Sequence, residues 1–183
     1  LAVDSARLLS PIQAGIQHQL DIVVAQMSTW EPCSNLSQYN QSDSGTWHDL
    51  PDEFFYVLKF ALDVAKETQG AYDPTSGPLV NAWGFGPTAK QSGRPDASTL
   101  DAARVRVGWQ KVLLDNENQR ALQSGGIYLD LSAIAKGFAV DQIARYLTQQ
   151  GINSYLVEVG GEVRGAGIKP DALPWWVGLE QPT

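Results

Sequence analysis

Between Ile127 and Asp141 the chain changes its period, and that change restricts the fold more than any other stretch does. The run Ile127-Tyr128-Leu129-Asp130-Leu131 is apolar and aromatic enough to predict a short buried strand. Ile134, Phe138 and Leu147 then recur at helical spacing, with Ser132 placed as the predicted N-cap. Such a corner presents unpaired backbone N–H groups and the positive end of a helix dipole at Ser132 to Ala135. A pyrophosphate could be held there without a further basic residue, and Lys136 adds a full charge one turn in. Taken alone, the segment reads more simply as a strand-to-helix corner with a capping serine and a solvated lysine.

The rest of the chain predicts an α+β fold, an antiparallel or mixed sheet with helices packed on it. Ser10-Pro11 reads as an N-cap and first helical position, followed by Ile12, Ile16, Leu20 and Met27 on one face. Glu31 to Asp49 is polar and reads as a loop. Pro51-Asp52-Glu53 opens a second helix whose stripe is Phe54, Leu58, Ala61, Leu62 and Ala65, and Gly70 is its stop. The Pro- and Gly-rich segment from Asp73 to Pro95 cannot sustain a long helix, so tertiary contacts or a ligand must order it. Asp96 to Arg104 reads as a short helix, and Lys111 to Leu114 and Arg120 to Gln123 as strands around a turn at Asp115 to Asn118. Gly151 stops the helix that Ser132 starts. Tyr155 to Val159 is a buried strand running into Gly160-Gly161, and Trp175 to Leu179 a final strand.

With 183 residues, 43% of them hydrophobic, residues 1–183 can form a single domain with a proper core. A net charge of −7 argues against a nucleic-acid surface, which needs clustered Lys and Arg. Cys33 stands alone, which excludes an internal disulfide and a cysteine metal cluster. No run approaches the roughly twenty apolar residues that span a bilayer.

Four blocks then occur in one order: Met27-Ser28-Thr29-Trp30-Glu31-Pro32 with Ser34 to Asn40; Gly70-Ala71-Tyr72-Asp73-Pro74-Thr75 through Gly77-Pro78-Leu79-Val80-Asn81 to Trp83-Gly84-Phe85-Gly86; the Tyr128–Asp141 corner; and Val157-Glu158-Val159-Gly160-Gly161-Glu162. Together they resemble the ApbE family, the FAD:protein FMN transferases, over nearly the whole chain. The resemblance implies that Trp30, Ala71, Tyr72, Asp73, Asp130 and Lys136 bind FAD, with Asn40 near the cleft. It further implies that the backbone carbonyl of Ala133 is a magnesium ligand. Each has a plainer reading beside it: Trp30 could cover a loop, Asp73 could form an Asx turn, and Asn40 could cap or turn the chain. Gly160 and Gly161 could serve close backbone approach or a bulge. His18 and His48 lie outside the motifs, and Asp141 is expected to stabilise its helix or a neighbouring amide.

The family's pattern continues past Pro182-Thr183 with a His-Ile-x-Asp-Pro segment and an Asp-Ala-x-x-Thr metal motif, and it begins earlier with a Met-Gly-Thr strand. The chain is therefore expected to be part of a larger domain, weak in FAD binding alone, with its catalytic groups in the later segment. The implied activity is magnesium-dependent transfer of FMN from FAD to a threonine of a target flavoprotein, with release of AMP. Implied acceptors are flavoprotein subunits of redox-driven membrane complexes such as the sodium-translocating NADH:quinone reductase. The implied location is the bacterial periplasm, as a lipoprotein on the inner membrane. Alternatives are a magnesium-dependent FAD pyrophosphatase giving FMN and AMP, and a non-catalytic FAD-binding envelope protein. A Trp-rich carbohydrate module is disfavoured, because its aromatics should form an exposed platform.

Overall fold

The computed structural model describes residues 6–87 and 93–179; the part of the predicted 73–95 segment at 88–92 lies outside them. The chain divides into two compact regions, Ile22–Ala135, and Leu1–Asp21 together with Lys136–Thr183. Among the described residues, no helix is long and apolar enough to cross a membrane.

Helix α1 spans Ala6–Met27, so it starts before the predicted Ser10 cap and carries Pro11 inside. Pro11 is exposed, and the carbonyl its missing N–H leaves unpaired can turn to water near the helix start.

The predicted loop from Glu31 to Asp49 is instead α2 (Asn35–Gln41), a turn, and β1 (Trp47–Asp49). Ser34 accepts the Ser37 N–H at 3.0 Å as N-cap, and Leu36 and Tyr39 are completely buried. Two apolar side chains three apart, after a good cap, suffice for a short helix that polar composition concealed.

Helix α3 (Asp52–Glu67) buries Phe54, Phe55, Val57, Leu58, Ala61 and Ala65. Its stop is as read: Gly70 has φ 86 and donates to the Ala65 carbonyl at 2.8 Å. Helix α4 (Gly77–Ala82) is short, and α5 (Ala97–Val105) is capped by Asp96, whose carboxylate accepts the Thr99 N–H at 2.7 Å. Strands β2 (Leu113–Asp115) and β3 (Arg120–Leu122) form a hairpin, and β1 adds antiparallel to β3, Trp47 opposite Leu122.

Residues 127–131 are not a strand. They alternate as a strand does, with Ile127, Leu129 and Leu131 buried, but they join no ladder. Two side-chain amides replace the missing neighbour. Gln123 accepts the Ile127 N–H at 3.2 Å and donates to the Ile127 carbonyl at 3.1 Å. Asn40 accepts the Leu129 N–H at 2.7 Å and donates to the Leu129 carbonyl at 2.9 Å. A carboxamide carries the same donor and acceptor as a peptide unit, so each meets the demand of a buried backbone.

The other region packs its own core. Ile12 of α1, Val140, Ile143, Ala144 and Leu147 of α6 (Ser132–Gln149), and Tyr155 and Val157 of β4 (Tyr155–Val159) form one apolar cluster. After α6, Gly151 has φ 78 and the Ile152 N–H reaches the Leu147 carbonyl at 2.9 Å, a Schellman-type stop. Gly160 and Gly161 have φ 58 and 97. They are the two-residue turn of a hairpin between β4 and β5 (Glu162–Ala166), where both central residues need the left-handed region. Asp141 pairs with the Arg164 side chain rather than with its own helix or an amide. The strand expected at 175–179 does not form: Trp175 donates its indole N–H to the Ala166 carbonyl at 2.9 Å, while Trp176 and Leu179 are exposed, so no second face is buried to define a strand.

Candidate functional site: an acidic and aromatic cavity

A cavity of about 530 Å³ opens within residues 22–135. The turn after α1, the loop after α3 and the start of α6 form its walls.

The first wall presents Trp30. The carbonyl of Ser28 accepts the hydroxyls of Ser34 and Ser37 at 2.6 and 3.2 Å, and Thr29 is buried, so the turn is tethered on both sides of its tip. Trp30 itself is 64% exposed and lines the cavity. It is no part of the buried core.

The second wall is the loop Gly70–Ser76. Asp73 has an Asx turn, as its plainer reading expected: its Oδ1 accepts the Thr75 N–H at 2.8 Å and the Thr75 hydroxyl at 2.6 Å. Its Oδ2 accepts the Trp109 N–H at 3.1 Å, and the Thr75 oxygen accepts the Gly108 N–H at 2.7 Å. Asp73 lines the cavity, yet its carboxylate is committed to fixing the loop. Beside it Tyr72 has a buried hydroxyl without a hydrogen-bond partner. Burial, then the nearby charges of Asp130 and Asp73, push its pKa up to about 12. Tyr72 is thus a neutral phenol near two carboxylates, a cavity-lining residue whose hydroxyl is buried and unpartnered.

The third wall is the start of α6, and here the expected anion site changes character. Ser132 is the first helical residue rather than the N-cap; the Leu131 carbonyl accepts the N–H groups of Ile134 and Ala135 at 2.9 and 2.8 Å. Asp130 Oδ1 accepts the Ser132 N–H at 2.8 Å. Of the four N–H groups expected to receive a phosphate, only that of Ala133 is left without a partner among the described residues. The helix dipole is already met by the Asp130 carboxylate. The corner therefore suits a ligand group that donates to Asp130, such as a ribose hydroxyl or a ring N–H, better than a bare phosphate.

Ala71, Tyr72, Asp73, Asp130, Ala133 and Trp30 all line this cavity, and Asn40 does not. Asn40 is spent on Leu129, one residue before Asp130. Lys136 belongs to the other region, where its ammonium donates to the Gly160 carbonyl at 3.0 Å and pairs with Glu162 at 3.0 Å. Phe85 was missed as a site residue: it is 76% exposed and lines the cavity. Its signal was present in Trp83-Gly84-Phe85-Gly86. A Cβ on Gly86 would fall 1.8 Å from the Asn81 amide oxygen, and Gly84 has φ 79, so a side chain on either neighbour of Phe85 would need Asn81 to move or the backbone to strain.

No three His, Cys, Asp or Glu side chains gather to hold a metal among the described residues. The Ala133 carbonyl lies in the first turn of α6, where the helix ladder directs it at the Gly137 N–H and leaves one lone pair. These residues alone do not fit a magnesium shell, which needs a near-octahedral set of hard oxygen ligands.

The ApbE family pattern matches residues 2–183. The FAD:protein FMN transferase of Vibrio cholerae is 40% identical over 172 residues, 94% of this chain and 51% of the relative. That of Escherichia coli is 35% identical over 181 residues, 97% of this chain and 52% of the relative. The chain thus spans about half the length of the curated relatives it matches. Among solved structures, the flavin transferase ApbE from Vibrio cholerae superposes with a TM-score of 0.90 at 38% identity, covering 99% of this chain and 57% of that one. The Pseudomonas stutzeri flavinyl transferase ApbE, apo form, gives 0.86 at 32%, covering 94% and 57%. The α+β fold and the ordered motif blocks lead to one conclusion: this chain belongs to the ApbE family.

Proposed function

We propose that this chain supplies FAD-binding walls of an enzyme that transfers FMN from FAD to a threonine hydroxyl of an acceptor flavoprotein and releases AMP. The observation that carries the reading is the cavity itself. Two exposed aromatics, Trp30 and Phe85, offer flat surfaces for stacking a ring. The Asp130 carboxylate offers a directional polar contact beside them, and the buried, unpartnered Tyr72 hydroxyl becomes a donor to a ligand once a small side-chain shift uncovers it. The relatives are named FAD:protein FMN transferase.

In that reaction the acceptor hydroxyl oxygen bonds to the FMN-side phosphorus. The P–O bond to the bridging oxygen breaks, AMP leaves with that oxygen, and the hydroxyl proton passes to a base or solvent. The residues described here orient the flavin nucleotide: Asp130 anchors a donor of the ligand, Tyr72 donates into it, and Asp73 keeps the loop that carries Tyr72 in place. When bound, magnesium would offset pyrophosphate charge. The Ala133 carbonyl would be one of its ligands.

The acceptor in this proposal is a flavoprotein subunit of a redox-driven membrane complex, of the sodium-translocating NADH:quinone reductase kind. The location is the periplasmic face of the inner membrane, through a lipid anchor. The test is mass spectrometry of a threonine-containing acceptor peptide incubated with FAD, magnesium and the protein. An adduct equal in mass to FMN supports transfer. FMN and AMP without an adduct support the pyrophosphatase, and unchanged FAD contradicts both.

A further inference from the structure

The buried segment before Asp130 is held by side chains where a strand would be held by a neighbouring backbone. The Gln123 carboxamide closes on Ile127 and also donates to the Tyr39 carbonyl at 3.0 Å, with its oxygen accepting the Gly125 N–H at 3.1 Å. It is 1% exposed and sits four residues from the backbone it clamps. Asn40 comes from α2, 89 residues away in sequence, and closes on Leu129 with both of its polar atoms. The next residue is Asp130, whose N–H goes to the Pro74 carbonyl at 2.8 Å and whose carboxylate goes to Ser132. Asp130 is therefore pinned from the Asn40 side, from the loop that carries Asp73, and from the start of α6.

The two clamps differ in what they hold. Gln123 has no member of the cavity next to any of its targets: around Ile127, Gly125 and Tyr39, none of Tyr128, Gly126 and Asn40 lines it. Asn40 holds the residue directly preceding Asp130, and a buried peptide that loses both partners shifts to find new ones. We infer that Asn40 is a positioning residue for FAD, acting through the Leu129 backbone to set the Asp130 carboxylate, whereas Gln123 is a folding clamp alone. The inference rests on the proposed FAD-binding role of the cavity. It gives Asn40 a part in ligand affinity without a place on the cavity wall.

The experiment is a double-mutant cycle read by FAD titration, following flavin fluorescence, with thermal melting on the same samples. Asn40→Ala is expected to weaken FAD binding by about ten-fold in the native background, and by less than about two-fold when Asp130→Ala is already present, because the two act as one unit. Gln123→Ala is expected to lower Tm at least as far as Asn40→Ala does while leaving FAD affinity within about two-fold. Should Asn40→Ala not fold, Asn40→Asp keeps the acceptor for the Leu129 N–H and serves the same cycle. Additive losses, an unchanged affinity in Asn40→Ala, or an equal loss in Gln123→Ala would overturn the inference while leaving the FAD site standing. A native protein that does not bind FAD would instead overturn the site on which the inference rests.

Discussion

Residues 127–131 and 155–159 have the same apolar alternation and meet opposite fates. Tyr155–Val159 pairs residue by residue with Glu162–Ala166 across a two-glycine turn. Ile127–Leu131 pairs with no strand, and carboxamides from Gln123 and Asn40 take over its backbone. Alternation reports which side chains are buried. It does not report who satisfies the N–H and C=O groups in between. The segment freed from a ladder is the one that leads through Asp130 into the cavity wall and the start of α6.

The largest test of this contrast is truncation in each segment. Leu129 is fully buried and Leu156 is 39% exposed. Leu129→Ala should cost about 3 kcal/mol, and Leu156→Ala less than about 0.5 kcal/mol, by chemical denaturation. Similar losses would mean that 127–131 is not a core element. Next is the hairpin turn: Gly161 has φ 97, so Gly161→Ala should cost about 1–2 kcal/mol through backbone strain, measured the same way. The clamped segment has no such turn to strain.

A smaller effect is pH dependence near the clamps. His48 stacks edge-on against Tyr39 and shares a 2.6 Å hydrogen bond with Ser42. Burial lowers its pKa below the ordinary 6.5, against a weaker opposing pull from Asp49. The folded state thus binds fewer protons at this site than the unfolded chain. The contribution is fully present above about pH 6.5 and is lost as pH falls through the lowered native value. Tm should fall on acidification through that window, and the slope should shrink in His48→Gln. The smallest stability effect is expected at Tyr72, whose hydroxyl has no partner. Tyr72→Phe should leave stability within about 0.5 kcal/mol, or raise it slightly, while FAD affinity falls several-fold.

What was legible in the sequence follows the same division. Helix α3, its apolar stripe and its Gly70 stop were readable because period, first-turn acids and a terminal glycine agree. The hairpin at Gly160-Gly161 was half readable, since β5 is polar and mostly exposed and gave no burial signal. Helix α2 hid in a polar stretch. Gln123 was invisible because a buried glutamine has no sequence signature, and its value lies in geometry. At the site, motif resemblance pointed to Trp30, Ala71, Tyr72, Asp73, Asp130 and Ala133, which the fold brings to one cavity. It pointed equally to Asn40, whose side chain is turned to the backbone behind that cavity.

Hydrogen–deuterium exchange with and without FAD reads the proposed cavity most directly. Added protection is expected in residues 70–73 and 130–133, with none in residues 154–159, which line another cavity of about 550 Å³. Protection confined to 154–159, or none anywhere at saturating FAD, would contradict the proposed cavity as the FAD site.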